Sequence, residues 1–289
     1  MPDIAWLNGR FMPLRRARVP VMDRGFLFGD AVYEVVRTRD GKPVLLEEHL
    51  RRLDSSARKI GLKCPPRATL RSVAAAGVRK ARYPETYIYI QVTRGVTYPR
   101  SHVPSPGMKP TVLVAFWRLL ARPAEHFTKG ISCFTAEDYR WGRCDIKTTN
   151  LLANTMCVTG ARRRGGSEVI FVKKGRLVEG GSSAVFTVKR GGIRIPKLGN
   201  HILPSLTRQL VLKTARRLKI PVSQTNVTVG QLMSADEVFL ASTTAEGVPV
   251  VRIDRRRIGS GRPGPVTASV REDILRGFAR GRGRGGGRK

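Results

Sequence analysis

One lysine in this chain stands at a place that does not suit an ordinary surface lysine. In Arg143 to Leu152, RCDIKTTNLL, Lys147 follows the short segment Cys144, Asp145, Ile146. It precedes Thr148, Thr149 and Asn150, all residues that favour helix caps, and then a helical run from Leu151 to Arg164. Such a position is a junction between elements, and a junction holds a side chain better than a loop tip does. A partly desolvated lysine has a lowered ammonium pKa, and its amine attacks aldehydes, which is Schiff-base chemistry. Lysine and arginine supply 54 of the 289 residues, and most such side chains are solvated, so Lys147 alone does not decide between a nucleophile and a surface cation.

Other residues add to it. Glu179 borders the glycine turn Glu179-Gly180-Gly181-Ser182-Ser183. Ser205-Leu206-Thr207 opens a helix, and helix openings offer unpaired backbone N–H groups to an anion. Ser242 and Thr243 follow the short apolar strand Val238 to Leu240; small hydroxyl residues there can cradle a phosphate or simply turn the chain. Pro99-Arg100-Ser101-His102 is a proline-bounded loop with two cations for a carboxylate, and Tyr33 can present its hydroxyl to a pocket from a strand. Arg51 and Arg52 point about 100° apart on a helix, so only one can face inward beside Leu53.

These side chains need a framework. Ile4 to Arg18 reads as a hairpin about Asn8-Gly9, and Asp23 to Arg37, DRGFLFGDAVYEVVR, as a loop feeding an alternating strand. Glu47 to Ile60 and Leu70 to Ala81 read as helices, and Thr86 to Thr93 and Thr111 to Trp117 as strands. Beyond Lys147, strands are expected at Glu168 to Val172, Leu177-Val178 and Ala184 to Val188. Helices are expected from Ser205 to Leu218 and between Val270 and Phe278. This alternation predicts an α/β (α+β) protein in two domains. The smaller spans residues 1–118, a linker covers 119–123, the larger spans 124–278, and a Gly/Arg-rich tail, 279–289, is expected to be unstructured.

The 41% hydrophobic content indicates a globular chain with ample core. No run of apolar residues is long enough for a membrane span and no signal-peptide pattern opens the chain, so a cytoplasmic location is expected. Cys64, Cys133, Cys144 and Cys157 lack metal-site spacing, and no metal is expected. The net charge of +33 first suggests nucleic acid, but the cations are spread along the chain; only Arg276 to Lys289 is low-complexity and basic, a candidate for non-specific nucleic-acid binding.

In order, DRGFLFGDAVYEVVR, EEHLRRL, YIQVTRG, PRSH, RCDIKTTNLL, VEGGSSAVF, SLTR and ASTTAE resemble the motifs of the fold-type IV, class IV aminotransferases, which use pyridoxal 5′-phosphate. The likeness runs from Trp6 to about Phe278 and is greatest to the D-amino-acid aminotransferases. It implies that Lys147 carries the cofactor as a Schiff base and moves the substrate proton. It also implies that Glu179 holds the pyridine nitrogen, which physically requires a buried acid beside a cation. Arg52, Leu206, Thr207, Ser242 and Thr243 would take the phosphate. Tyr33, Arg100 and His102 would hold the substrate carboxylate, Arg and His coming from the other subunit of a homodimer with shared active sites. The activity implied is transfer of an amino group from a D-amino acid, such as D-alanine or D-glutamate, to a 2-oxo acid. A branched-chain L-amino-acid aminotransferase usually has tyrosine after the asparagine, where this chain has Leu151. The substrate-loop pattern of an aminodeoxychorismate lyase is not seen around Gly29 to Val35. A basic nucleic-acid-binding protein explains the charge but not the ordered motifs.

Overall fold

The computed structural model describes residues 3–280. Asn8 and Gly9 take φ of 46° and 100°, so a two-residue turn joins β1 (Ile4–Leu7) to β2 (Arg10–Pro13) with a twist that suits the strands. After a 3-10 turn at Leu14–Arg16 comes α1 (Arg24–Phe28), a helical turn where the sequence predicts a loop. Asp23 caps it by accepting from the Gly25 N–H at 2.8 Å, and Gly29, at φ 64°, ends it. Those two brackets make five residues helical without an apolar period to announce it.

Next come β3 (Ala31–Arg39), β4 (Lys42–Pro43), α2 (Leu46–Lys59), α3 (Arg67–Ala81), β5 (Thr86–Thr93) and β6 (Thr111–Arg118). The strands form a six-stranded sheet in the order β2-β1-β6-β5-β3-β4, antiparallel throughout. Val32 and Val36 of β3 pack with Leu50 and Leu53 of α2, Leu70 of α3, Ile88 and Ile90 of β5 and Phe116 of β6.

The chain forms two units, one being the chain up to Ala121 together with Cys144–Leu151, the other Arg122–Arg143 with the chain from Leu152 onward. Cys144–Leu151 lies within the span 124–278 expected to form the larger domain, yet it packs with the first unit. The reason is local: Ile146 joins that unit's core, and Val32 and Thr148 form an antiparallel bridge at the edge of β3.

The second unit contains α4 (Glu125–Thr128), β7 (Ile131–Glu137), α5 (Leu152–Arg163), β8 (Glu168–Lys173), β9 (Arg176–Gly180), β10 (Ala184–Lys189) and β11 (Gly192–Ile195). It continues with α6 (Leu206–Arg217), β12 (Val222–Gln224), α7 (Val229–Met233), β13 (Glu237–Ser242), β14 (Ala245–Ile253), β15 (Arg256–Arg257) and α8 (Pro265–Arg280). Its nine-stranded mixed sheet runs β12-β11-β10-β13-β14-β7-β8-β9, with β15 paired to β14. β10 and β13 are apolar at successive positions because both faces are covered. Val185, Val238 and Leu240 pack with Leu232 of α7, while Phe186, Phe239 and Ala241 pack with Val211 of α6 and Val270 of α8.

Helix α8 takes in Ala279 and Arg280, the first residues of the stretch 279–289 expected to be an unstructured tail; residues 281–289 lie outside those described. Among the described residues no helix is long and apolar enough to cross a membrane.

Candidate active site

In the first unit, Lys147 is held by its main chain on two sides. Its carbonyl accepts from the Tyr33 N–H of β3 at 2.9 Å, and its N–H donates to Ser56 Oγ of α2 at 3.1 Å. Asn150 ties the next turn down, donating through Nδ2 to Thr148 Oγ1 at 3.2 Å and to the Gly29 carbonyl at 3.4 Å. Glycine suits position 29 because its φ is 64°, a left-handed value that strains other residues, and a Cβ would fall 2.4 Å from Asn150 Oδ1. The side chain of Lys147 is half-buried, with Nζ 3.5 Å from the Tyr33 hydroxyl and 4.5 Å from the centre of its ring. The structure thus brings Tyr33 and Lys147 together.

Arg52 is the inward arginine, its side chain 9% exposed against 60% for Arg51. It donates through Nε and Nη2 to the two carboxylate oxygens of Glu34, at 2.6 and 2.8 Å. His49 Nδ1 lies 2.7 Å from the same carboxylate. Burial opposes ionisation of Glu34, but the Arg52 guanidinium, and then the His49 hydrogen bond, hold its carboxyl down to about 2. Sequence reasoning passed over Glu34 and His49. The signal was present, since Glu34 falls in phase with the buried Val32 and Val36 on an otherwise apolar strand face.

Arg100 and His102 lie on an exposed loop after the cis peptide Tyr98–Pro99. Both pack on Phe28: the Arg100 guanidinium is 4.6 Å from the ring centre, and the His102 ring is 5.3 Å away.

In the second unit, Glu179 is buried near the end of β9. Arg140 Nη1 donates to one of its oxygens at 2.6 Å, and the Leu203 N–H donates to the other at 3.1 Å. Arg140 also grips Asp138 through Nε and Nη2, at 2.9 and 3.0 Å, and lies 4.3 Å from the centre of the Phe171 ring. Here is the cation that a buried acid requires. It could not be picked from among 54 lysines and arginines by sequence.

The turn after Glu179 is tight. The Gly180 N–H donates to the Ser183 carbonyl at 2.7 Å, and a Cβ on Gly181 would fall 2.6 Å from Glu168 Oε1. Ser182 Oγ donates to Glu168 at 3.1 Å, and burial pushes the Glu168 carboxyl up. Ala184 pairs with Ala241, which brings Ser242 and Thr243 to the same end of the sheet as this turn. Leu203, bonded to Glu179, lies three residues before Leu206, so the opening of α6 is within about 11 Å along the chain. That opening is capped by Ser205 Oγ, which accepts from the Arg208 N–H at 3.1 Å, and Leu206 and Thr207 are buried. The second unit thus brings Ser242 and Thr243 to the end of the sheet where the Glu179 turn lies, 63 residues apart in sequence between Glu179 and Ser242, and Leu203 ties the segment leading into Leu206 and Thr207 to Glu179.

A held amine beside a phenol, a buried carboxylate gripped by a cation, a capped helix opening and two hydroxyl residues at a strand end are the parts of an enzyme that works on amines through a phosphorylated group. The family model of the class IV amino-transferases matches residues 31–253, and the chain belongs to that family. It is an aminotransferase. Over 93% of its length it is 39% identical to the D-alanine aminotransferase of Listeria innocua, covering 96% of that protein. Against the D-alanine aminotransferase of Bacillus licheniformis the identity is 39%, over 91% of this chain and 93% of the other. The Escherichia coli branched-chain amino acid aminotransferase structure matches with a TM-score of 0.87 at 29% identity, covering 94% of this chain and 93% of that one.

Proposed function

We propose that the chain is a pyridoxal 5′-phosphate-dependent transaminase that moves the amino group of a D-amino acid, such as D-alanine or D-glutamate, to a 2-oxo acid, working as a cytoplasmic homodimer. The observation that carries the donor class is the 39% identity to D-alanine aminotransferases over more than nine-tenths of the chain.

The residues suit the cofactor. Ser183 Oγ, beside the Glu179 turn, is buried without a hydrogen-bond partner, and a bound group would satisfy it. When bound, pyridoxal 5′-phosphate supplies an aldehyde carbon for the amino group and an electron-withdrawing ring beside the substrate Cα. Lys147 is the residue to hold it, and its amine takes the proton from Cα and returns it. The Tyr33 hydroxyl, 3.5 Å from Nζ, orients that amine. Glu179, its charge offset and its carboxylate aimed by Arg140, would accept the ring N–H. Arg52, held in its rotamer by Glu34, would take the phosphate, as would the N–H groups of Leu206 and Thr207 and the hydroxyls of Ser242 and Thr243. Tyr33, with Arg100 and His102 of the partner subunit, holds the substrate carboxylate.

Borohydride reduction followed by peptide mapping should place the cofactor on Lys147, and the purified enzyme should form pyruvate from D-alanine and 2-oxoglutarate. Labelling of another lysine removes the assignment. Turnover of L-leucine without D-amino-acid turnover moves the protein to the branched-chain class.

A further inference from the structure

The loop bearing Arg100 and His102 has no strand or helix of its own to fix it. Its main chain is held instead by a buried cation. Arg24 is 4% exposed. Its Nη1 donates to the Ser101 carbonyl at 2.6 Å and its Nη2 to the His102 carbonyl at 2.8 Å. Its Nε donates to Asp30 at 2.8 Å, and its guanidinium lies 4.8 Å from the centre of the Phe28 ring, the ring that Arg100 and His102 also pack on.

Asp30 is itself anchored. Arg94 donates to both of its oxygens, at 2.7 and 3.0 Å, and to the carbonyls of Ile60 and Gly61 at the end of α2, at 2.7 and 2.8 Å. A path of charge-assisted bonds therefore runs from the end of a core helix through Asp30 and Arg24 to two consecutive carbonyls of the loop. A planar guanidinium can satisfy two carbonyls and a carboxylate at once; an ammonium, a point charge on a flexible stem, does not reproduce that fork.

We propose that Arg24 is a positioning residue for substrate binding: by fixing the carbonyls of Ser101 and His102, it pre-organises Arg100 and His102 to receive the α-carboxylate shared by amino donor and 2-oxo acceptor. The proposal rests on the D-amino-acid transaminase reading. Without Arg24, two exposed side chains must be ordered at each binding event, which weakens binding and leaves the proton transfer at Lys147 as it was.

The test is steady-state kinetics on Arg24→Lys and Phe28→Leu in the cofactor-loaded enzyme, with D-alanine and 2-oxoglutarate. KM should rise roughly tenfold for both substrates in Arg24→Lys, with kcat within about twofold and the cofactor's absorbance unchanged. Phe28→Leu, which removes the shared ring and spares the carbonyl bonds, should raise KM in the same direction and serves if Arg24→Lys does not fold. Adding Arg24→Lys to an Arg100→Ala, His102→Ala background should raise KM no further, because the residues act as one unit. An unchanged KM in Arg24→Lys, or equal loss in kcat and cofactor absorbance, overturns the positioning role. If Arg100→Ala, His102→Ala itself leaves KM unchanged, the carboxylate reading falls, and this proposal with it.

Discussion

Arg140, not among the residues singled out by sequence, is nearly buried, and it compensates two buried carboxylates at once, Asp138 and Glu179. Its removal leaves both uncompensated in a low-dielectric site, and breaking a buried pair costs about 3–5 kcal/mol. Arg140→Met should lower the midpoint of thermal unfolding and, in the fraction that folds, slow turnover by releasing Glu179 from its aim. Unfolding followed by circular dichroism, alongside initial rates, checks both. A variant as stable and as active as the parent would mean that the cluster is solvated in solution. The glycine turn beyond Glu179 is fixed by crowding, since a Cβ at Gly181 would fall 2.6 Å from both Glu168 Oε1 and Val158 Cγ2.

The joint between β3 and α2 is the element-scale counterpart. Glu34 on the strand receives Arg52 and His49 from the helix, so one carboxylate docks the helix and sets the rotamer of Arg52. Because the folded Glu34 carboxyl is held down to about 2, below its ordinary 4.5, it contributes stability that is complete above about 4.5 and is lost as pH falls towards 2. Glu34→Gln cannot be protonated further. The stability gap between the parent and Glu34→Gln should therefore be widest near neutrality and close as pH drops through that window, as urea unfolding at several pH values would show. A gap that does not vary with pH would assign the cost of the variant to packing alone.

At the scale of the whole molecule, the charge of +33 is the feature the chemistry does not use. A transaminase has no need of it, so it should separate from catalysis. The tail beyond Arg280 carries Arg282, Arg284, Arg288 and Lys289 and no acid. Truncation after Arg280 keeps all of α8 and should leave kcat/KM for D-alanine unchanged. Affinity for a short DNA duplex should fall, and the log–log salt slope should become shallower by about 0.9 for each phosphate that the tail no longer neutralises. Lost activity in a folded truncation would give the tail a part in the reaction; an unchanged salt slope would remove it from nucleic-acid binding.

Much of this protein is determined by local chemistry and is legible without coordinates. Asn8-Gly9 forms a hairpin turn because few other residue pairs take positive φ twice, and Thr86–Thr93 is a strand end to end because its alternation matches the pleat. Lys147 is found by its neighbours, since Asn150, three residues on, secures the turn to Gly29. The partners of these groups are another matter. Arg140 meets Glu179 across 39 residues, and Arg24 meets Ser101 across 77. Glu34 and His49 become a pair only when α2 lies on β3. Nothing local distinguishes these arginines from the dozens that stay in water, because what makes a cation functional is the burial of an opposite charge beside it. Likewise, residues 144–151 join the first unit because Ile146 finds its apolar neighbours there and Thr148 an open strand edge. Burial and long-range pairing exist only once the sheets have formed, and that is what the tertiary structure decided.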